Sequence, residues 1–197
     1  MNRLFKGLIA TSMIAALTLL TGCATKIHAS SSANPPPAEA FSAFGRIQLK
    51  PAVFTSNIKG NEAALAKIND NIVKELTPSL TEWNKRPDNG RTLVIEPVVE
   101  QFSFKRGARR VLLGPMAGSS GILMRVTYKD NNGRVVAKPE FFQRAAALAG
   151  GWTFGVHDNL MLMRVAQLSA NYTKSNFTAA VGGPTGGDDP EIAPDSK

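Results

Sequence analysis

The sequence is poor in the residues that build redox and metal centres, because its 197 residues include only one cysteine and two histidines. One cysteine excludes an internal disulfide, and one cysteine with two histidines cannot complete the four ligands of a structural zinc site. Iron–sulfur clusters need several thiolates and are excluded for the same reason. We therefore expect neither a metal nor a bound cofactor.

The remaining composition is that of a basic protein with one folded domain. Hydrophobic residues make up 43% of the chain, which is enough for a packed core, and the length favours one domain with extensions over two domains. Lysine and arginine number 23 against 15 aspartate and glutamate residues, giving a formal net charge of +8. An anionic partner would suit this charge.

The first 22 residues have the layout of an export signal. Arg3 and Lys6 give a positive start, and residues 8–20 form an uncharged apolar run. This run is shorter than the roughly 20 residues that a membrane-spanning helix needs. The pattern predicts a signal peptide over residues 1–22.

The segment Leu20-Thr21-Gly22-Cys23 follows the apolar run and contains the only cysteine of the chain. It resembles the lipobox of bacterial lipoproteins. The resemblance implies cleavage before Cys23, a diacylglycerol thioether on its thiol and acylation of the new N-terminus. Ala24 at the next position implies sorting to the outer membrane, with the folded domain in the periplasm. The alternative is an ordinary signal peptide with a chance cysteine.

Composition divides the rest of the chain into three parts. We expect residues 23–40, with the lipidated cysteine, to form a flexible Ser-, Ala- and Pro-rich tether. Its residues 24–40 would reach at most about 56 Å at about 3.3 Å per residue. Residues 41–180 are the predicted periplasmic α/β domain. Residues 181–197 are rich in Gly, Pro and Asp and are predicted to be a disordered acidic tail.

Hydrophobic periodicity predicts a β-α-β-β-β-α order within the domain. The fold class is α/β (α+β): one mixed or antiparallel sheet of about four strands packed by two helices. The predicted elements are strand 44–54, helix 61–85 interrupted at Pro78, strand 92–104 with a bulge or sheet edge at Pro97, strands 122–129 and 134–144 around a turn at 130–133, and a helix from His157 or Asp158 to Asn176.

The most concentrated charge is a basic cluster followed by an uncharged, glycine-containing run at residues 111–124. The run lacks the Gly-Lys-Ser/Thr ending of a phosphate-binding loop, because Ile122 follows Gly121. Two interpretations stay open: a structural glycine loop that leads into a buried strand, and a segment that enters a membrane or lines an oligomer. The basic cluster consists of Lys105, Arg106, Arg109 and Arg110.

The basic cluster is the candidate binding site. Paired arginines suit bidentate contacts with anions. In the cell envelope, the candidate partners are an envelope protein, peptidoglycan carboxylates and lipopolysaccharide. Nucleic acid is excluded as a partner, because export separates the chain from it and no aromatic residues are interleaved with the cluster.

Serine-based catalysis has weak support in the sequence. His157 and Asp158 are adjacent, so they cannot orient each other as a catalytic triad requires. Residues 118–121 read Gly-Ser-Ser-Gly rather than the Gly-x-Ser-x-Gly of a nucleophile elbow. A hydrolase using Ser119 or Ser120 with His157 is therefore the least favoured alternative.

The acidic residues do not predict catalysis either. Glu96 and Glu100 lie on one face of a predicted strand but about 13 Å apart at about 3.3 Å per residue. That separation is too large for two carboxylates acting on one bond. We therefore expect a protein that is not an enzyme.

The run GARRVLLGPMAGSSGILMRVTYKDNNGRVVAKPEF resembles a domain-of-unknown-function family of exported bacterial lipoproteins. The shared features are a Gly-Ala-Arg, a glycine-rich loop, an alternating strand and an Asp…Gly hairpin. The resemblance extends over roughly residues 44–176 and implies no particular chemistry. We expect a lipid-anchored, non-enzymatic accessory or binding module, with a membrane-associated oligomer that uses residues 111–124 as the alternative.

Overall fold

The computed structural model describes residues 27–56, 58, 62–103, 120–145 and 156–192. Its two long helices and eight strands follow one another in mixed order, and a short 3-10 turn covers Phe41–Ala43. The strands are β1 Ala33–Asn34, β2 Arg46–Leu49, β3 Val53–Phe54, β4 Thr92–Ser103, β5 Ser120–Asp130, β6 Val135–Ala137, β7 Glu140–Ala145 and β8 Gly183–Pro184, and the helices are α1 Glu62–Trp83 and α2 Val156–Ser175.

The main sheet contains six strands in four side-by-side positions, because each of the two edge positions is filled by two short strands in succession. Strands β2 and β3 lie one after the other along β4 and run parallel to it. Strand β5 is antiparallel to β4, and β6 and β7 follow one another along the far side of β5. The predicted mixed α+β class with two helices is confirmed. The strand number is larger than predicted, because Pro51 and Pro139 lie in breaks within two predicted strands.

Strand β4 is the centre of the sheet even though it contains Pro97, so the prediction of a bulge or edge at Pro97 is wrong. The register shift lies further on, between Val99 and Gln101. Pro97 falls between the stretches of β4 that pair with β2 and β3, and Val126 opposite it donates its N–H away from β4 to Pro139. The missing N–H of proline therefore lies where the ladder needs none.

Helix α1 carries the predicted apolar stripe, with Ile68, Ile72 and Leu76 fully or almost fully buried. The sequence predicts a kink or a break at Pro78; the break does not occur, since one helix continues to Trp83. Pro78 and Lys74, whose carbonyl would have received the missing N–H, are both exposed. Water can hydrate that carbonyl, so the helix tolerates the proline.

Both helices cover one face of the sheet. Aromatic rings fill the space between the helices and the sheet. The rings of Phe41 and Tyr128 stack at 4.7 Å, and Tyr172 lies 5.8 Å from Tyr128. The Tyr128 hydroxyl is 2.6 Å from the Thr173 hydroxyl, which in turn donates to the Ser169 carbonyl. A polar group at the centre of the core thus has a partner, as burial requires.

The sheet edge formed by β2 and β3 is capped by two asparagine side chains. The Asn84 amide accepts from the Ile47 N–H at 2.8 Å and donates to the Ile47 carbonyl at 2.9 Å. The Asn69 amide makes the same pair of bonds with the backbone of Ala52. Each amide takes the place that a neighbouring strand would occupy, which protects an otherwise open edge.

The opposite edge, along β6 and β7, is covered by the two ends of the described chain. Residues 27–40 and 181–192 contact each other through β1 and β8 and pack against this edge. The described parts of the predicted flexible tether and disordered tail are therefore ordered, which corrects both predictions. Their order comes from hydrogen bonds to distant backbone groups, whereas the predictions rested on low hydrophobicity alone.

Candidate functional site

The site residues predicted from sequence lie outside the described part of the chain. This applies to the lipidation candidate Cys23 and to the basic cluster of Lys105, Arg106, Arg109 and Arg110. Ser119 and the side chain of His157 are likewise outside it. Their roles stay predictions. The structure shows only the positions of the described residues that flank them in the sequence.

The basic cluster belongs to residues 104–119, which we call the basic segment. The described residues that flank this segment lie at one end of the sheet. Ser103, the last residue of β4, precedes residues 104–119 and pairs with Gly121 of β5. Ser120 pairs with Ala145, the last residue of β7. Residues 104–119 and 146–155 are thus attached at the same end, which we call the loop end.

The described part of the glycine-containing run, Ser120–Met124, belongs to β5. Its five residues are buried, with Ile122 and Met124 completely so. The buried strand that one of the two interpretations requires is thus present, whereas residues 111–119 lie outside the described ranges and both interpretations stay open. Ser120 is itself fully buried, so it is not accessible as a surface nucleophile.

The N-terminal segment is fastened to the sheet through Glu140. The backbone N–H and the hydroxyl of Ser30 both donate to Glu140 Oε1, and Arg125 donates to Glu140 Oε2 at 3.1 Å. Arg125 also binds Glu100 at 2.9 Å. Burial raises the pKa of Glu140, but the Ser30 hydrogen bonds and the Arg125 charge outweigh it and leave that pKa below its ordinary value.

Asn34 makes the second attachment. Its amide accepts from the Glu140 N–H and donates to the Glu140 carbonyl, both at 2.8 Å. Asn34 is only 6% exposed, and its Nδ2 also lies 3.3 Å from the Pro184 carbonyl. The side chain therefore joins the start of β7 to both chain ends.

The C-terminal segment continues along the same edge. Thr185 donates from its N–H to Ser32 and from its hydroxyl to Ser31, and its carbonyl accepts from Phe142 of β7. Further on, the Ile192 N–H donates to Arg144. We call this assembly of β7 with residues 27–34 and 181–192 the clasped edge.

Asn176, just after α2, organises the start of the C-terminal segment. Its Oδ1 accepts from the N–H groups of Val181 and Gly182, and its Nδ2 donates to Tyr172 and Gly182 carbonyls. Asn176 has no exposed surface. Gly186 adopts φ +81°, and a Cβ there would lie 2.7 Å from Leu168 Cδ1, so the turn requires glycine.

The sheet face that the helices do not cover carries charged residues that pair with each other. Glu96 binds Lys129 at 2.8 Å, while Glu100 and Glu140 share Arg125. The expectation that Glu96 and Glu100 do not act together is consistent with this arrangement, because each has its own cationic partner. These ion pairs join neighbouring strands, and each of the three carboxylates contacts a cation.

A second charge cluster, which sequence reasoning missed, lies at the sheet end opposite the loop end. Glu39 accepts from Arg91 at 2.8 Å and also binds Arg134, which contacts Asp130 at 3.1 Å. The hydrogen bond from Arg91 lowers the pKa of Glu39, and Arg134 lowers it further. Since these groups bind one another within the chain, the cluster is structural.

Within the described ranges, no group of three or more His, Cys, Asp or Glu residues is placed to hold a metal ion. None of the described helices has the length and apolarity needed to cross a membrane. Within these ranges, hydrogen bonds and ion pairs at the clasped edge attach residues 27–34 and 181–192 to β7.

The fold defines a single α+β domain in which residues 27–34 and 181–192 meet at one edge of a mixed sheet. The chain belongs to the family described as a domain of unknown function, DUF4410, whose profile matches residues 20–151. The match includes Cys23 and residues 104–119 and ends before α2. No curated protein shows significant sequence similarity to the chain.

Several solved structures are distantly similar. A PelC dodecamer from Paraburkholderia phytofirmans is 13% identical, with 76% of this chain and 96% of that chain covered and a TM-score of 0.40. A second crystal form of PelC gives 15% identity, coverage of 75% and 95%, and a TM-score of 0.38. The hypothetical protein CT253 from Chlamydia trachomatis is 13% identical, with coverage of 68% and 98% and a TM-score of 0.43.

Proposed function

We propose that the chain is a lipid-anchored accessory or binding protein of the bacterial cell envelope, without catalytic activity of its own. It is acylated at Cys23, sits in the outer membrane with its domain in the periplasm, and presents the basic cluster to an envelope partner. The partner carries anionic groups, such as an acidic protein surface, peptidoglycan or lipopolysaccharide.

The anchor rests on the lipobox-like segment that ends at Cys23, and the described chain begins a few residues later. Only residues 24–29 separate Cys23 from Ser30, whose hydrogen bonds fix the chain to Glu140. An acyl chain on Cys23 would thus be joined to a folded domain. Burial of acyl chains contributes about 0.8 kcal/mol per CH₂, so two or more chains give a stable anchor.

The observation that carries the binding role is the placement of the basic segment's two ends. Ser103 and Gly121 are paired neighbours on antiparallel strands, so residues 104–119 form the connection between them. Tight hairpins use about two to five residues, and connections longer than about 12–15 residues in compact domains are usually either functional or disordered linkers. Four cations on such a connection suit recognition of anionic groups.

The anchor is tested by the mass of the protein purified from membranes. We expect a chain that begins at Cys23 and carries diacylglycerol and an N-linked acyl group. The Cys23→Ser variant should keep residues 1–22 and lose the lipid mass. A wild-type product that starts at Met1 without lipid would refute the anchor.

The binding role is tested by crosslinking in intact cells followed by identification of the attached proteins or glycans. The variant in which Lys105, Arg106, Arg109 and Arg110 become Glu should lose most of the captured partner. A control variant changes four exposed lysines elsewhere, Lys50, Lys67, Lys74 and Lys138, to Glu and should keep it. Equal capture by both variants would refute the basic cluster as the binding site.

The same preparation tests the alternative of an oligomer built by residues 111–124. Light scattering on delipidated protein should give the mass of a monomer if the binding role is right. A larger defined mass, reduced by substitutions within 111–119, would favour the oligomer instead.

A further inference from the structure

We propose that the clasped edge faces the lipid membrane at short range, so that the domain is held against the membrane surface instead of hanging from a long tether. The inference rests on the proposed acylation of Cys23. It identifies which surface of the domain the lipid bilayer approaches.

The first step is the point at which the N-terminal segment becomes fixed. Ser30 donates two hydrogen bonds to Glu140, whose side chain is 5% exposed. Ser31 and Ser32 accept from Thr185, and Asn34 binds both backbone groups of Glu140. These bonds join three separate parts of the sequence, and breaking them would leave buried polar groups without partners.

The second step is the length of chain that remains between the anchor and this point. Seven Cα–Cα steps from Cys23 to Ser30 span at most about 25 Å, at about 3.6 Å per residue. A tether free as far as residue 40 would have reached about 56 Å at about 3.3 Å per residue. The fixed segment thus removes more than half of the reach.

The third step is the orientation that the short connection imposes. Ser30 and Ala29 lie beside Gly187 and Glu140, at the outer side of β7. Strands β2 and β3 lie at the other edge, three strand positions away. At about 4.8 Å per strand, three positions place that edge about 14 Å further from the point of attachment. Because the connection to the lipid begins at the clasped edge, that edge lies on average nearer to the lipid than the far edge does.

Energy transfer from two labelling positions to labelled lipids tests the orientation. Because the acyl group occupies the only native thiol, a second cysteine can be labelled selectively. Asp188→Cys places a donor on the exposed part of the clasped edge, and Gln48→Cys places one on the exposed far edge. The acylated full chain is reconstituted in vesicles of phosphatidylethanolamine and phosphatidylglycerol that carry a headgroup-labelled acceptor lipid.

We expect transfer from Asp188→Cys to be at least about twofold more efficient than from Gln48→Cys, given a strand spacing of about 4.8 Å. Insertion of about twelve Gly and Ser residues between Lys26 and Ile27 restores a long flexible linker and should make the two efficiencies similar. Similar efficiencies without the insertion would overturn the inference.

Mass spectrometry of the same samples distinguishes a failure of the proposed anchor from a failure of the proposed orientation. If Cys23 carries no lipid, the proposed anchor is wrong and the short-range orientation fails with it. If Cys23 is acylated and the two labels report similar transfer, the anchor stands and only the orientation is refuted.

Discussion

The two edges of the main sheet are protected in different ways. At the β2–β3 edge, asparagine side chains from α1 and its C-terminal end bind Ile47 and Ala52 across sequence separations of 37 and 17 residues. At the clasped edge, the bonds of Asn34 to Glu140 and of Thr185 to Ser31 join residues 106 and 154 positions apart. One edge is capped by its neighbouring helix, and the other is covered by two segments far apart in sequence, residues 27–34 and 181–192.

This difference has a consequence for folding and stability. The caps on β2 and β3 form when α1 docks, which requires only local chain closure. The clasped edge forms only after the two chain ends come together, and the loss of either end removes the partner of the other. We therefore expect the domain to depend more strongly on its ends than on the asparagine caps.

Removal of residues 181–197 should have the largest effect. Phe142 and Ser32 lose their hydrogen bonds to Thr185, and the buried side chain of Ile192 is lost from the core. At about 1 kcal/mol per hydrogen bond and about 1.5–3 kcal/mol per buried apolar side chain, the free energy of unfolding should fall by about 3.5–5 kcal/mol. Urea denaturation followed by circular dichroism measures this.

The control is Asp188→Ala, which changes only an exposed side chain of the same segment and should change stability by less than about 0.5 kcal/mol. If the truncation is equally harmless, residues 181–192 contribute nothing to the fold, and the comparison of the two edges is wrong.

Asn176→Ala should have the next largest effect, because one buried side chain bonds both Val181 and Gly182. Loss of these bonds leaves buried backbone groups without partners and should cost about 2–3 kcal/mol. The control is Asn71→Ala on α1, whose amide bonds only the Lys67 carbonyl at an exposed site. Equal effects of the two substitutions would contradict a special role for Asn176.

Asn84→Ala should open the other edge at a cost of about 1–2 kcal/mol, because both backbone groups of Ile47 lose their partner. An uncapped edge can pair with a second copy, so we also expect concentration-dependent association in size-exclusion chromatography with light scattering. Asn84→Asp is a second variant for comparison. It keeps the acceptor for the Ile47 N–H and loses only the donor to the Ile47 carbonyl. If Asn84→Ala associates no more than the wild type, the cap does not protect the edge.

The smallest expected effect is a pH dependence from Glu140. Its pKa in the folded protein lies below the ordinary value of 4.5, so the stability it contributes is complete above about that pH. This contribution is lost as the pH falls through the lower folded pKa. Glu140→Gln should be less stable than the wild type at pH 7, and the difference should shrink in strong acid. A constant difference at all pH values would contradict an ionised Glu140 in the clasped edge.

Periodic features of the fold were predictable from the sequence. The stripe of Ile68, Ile72 and Leu76 predicts α1 and the face that it buries. The alternation in β5 and the turn at residues 130–133, where Gly133 has φ +83°, predict the hairpin with β6. These features depend on neighbours close in sequence, so a single sequence carries them.

The clasped edge was not predictable by the same reasoning. Its residues are Ser, Pro, Gly and Asn, which resemble a linker in composition, and their order comes from bonds such as that of Asn34 to Glu140. A side chain that binds distant backbone leaves no periodic signal along the chain. The predicted site around Lys105 and Arg109 lies outside the described ranges, so it stays a prediction.

Amide hydrogen exchange at Thr185 and Phe142 tests most directly whether residues 27–34 and 181–192 are folded onto the sheet. The Thr185 N–H donates to Ser32 and the Phe142 N–H donates to Thr185. We predict that both exchange much more slowly than the amides of an unstructured peptide, because both residues are buried and each N–H is bonded to a distant part of the chain. Exchange of Thr185 at the rate of an unstructured peptide would show that residues 27–34 and 181–192 are a free tether and tail, and would contradict the account.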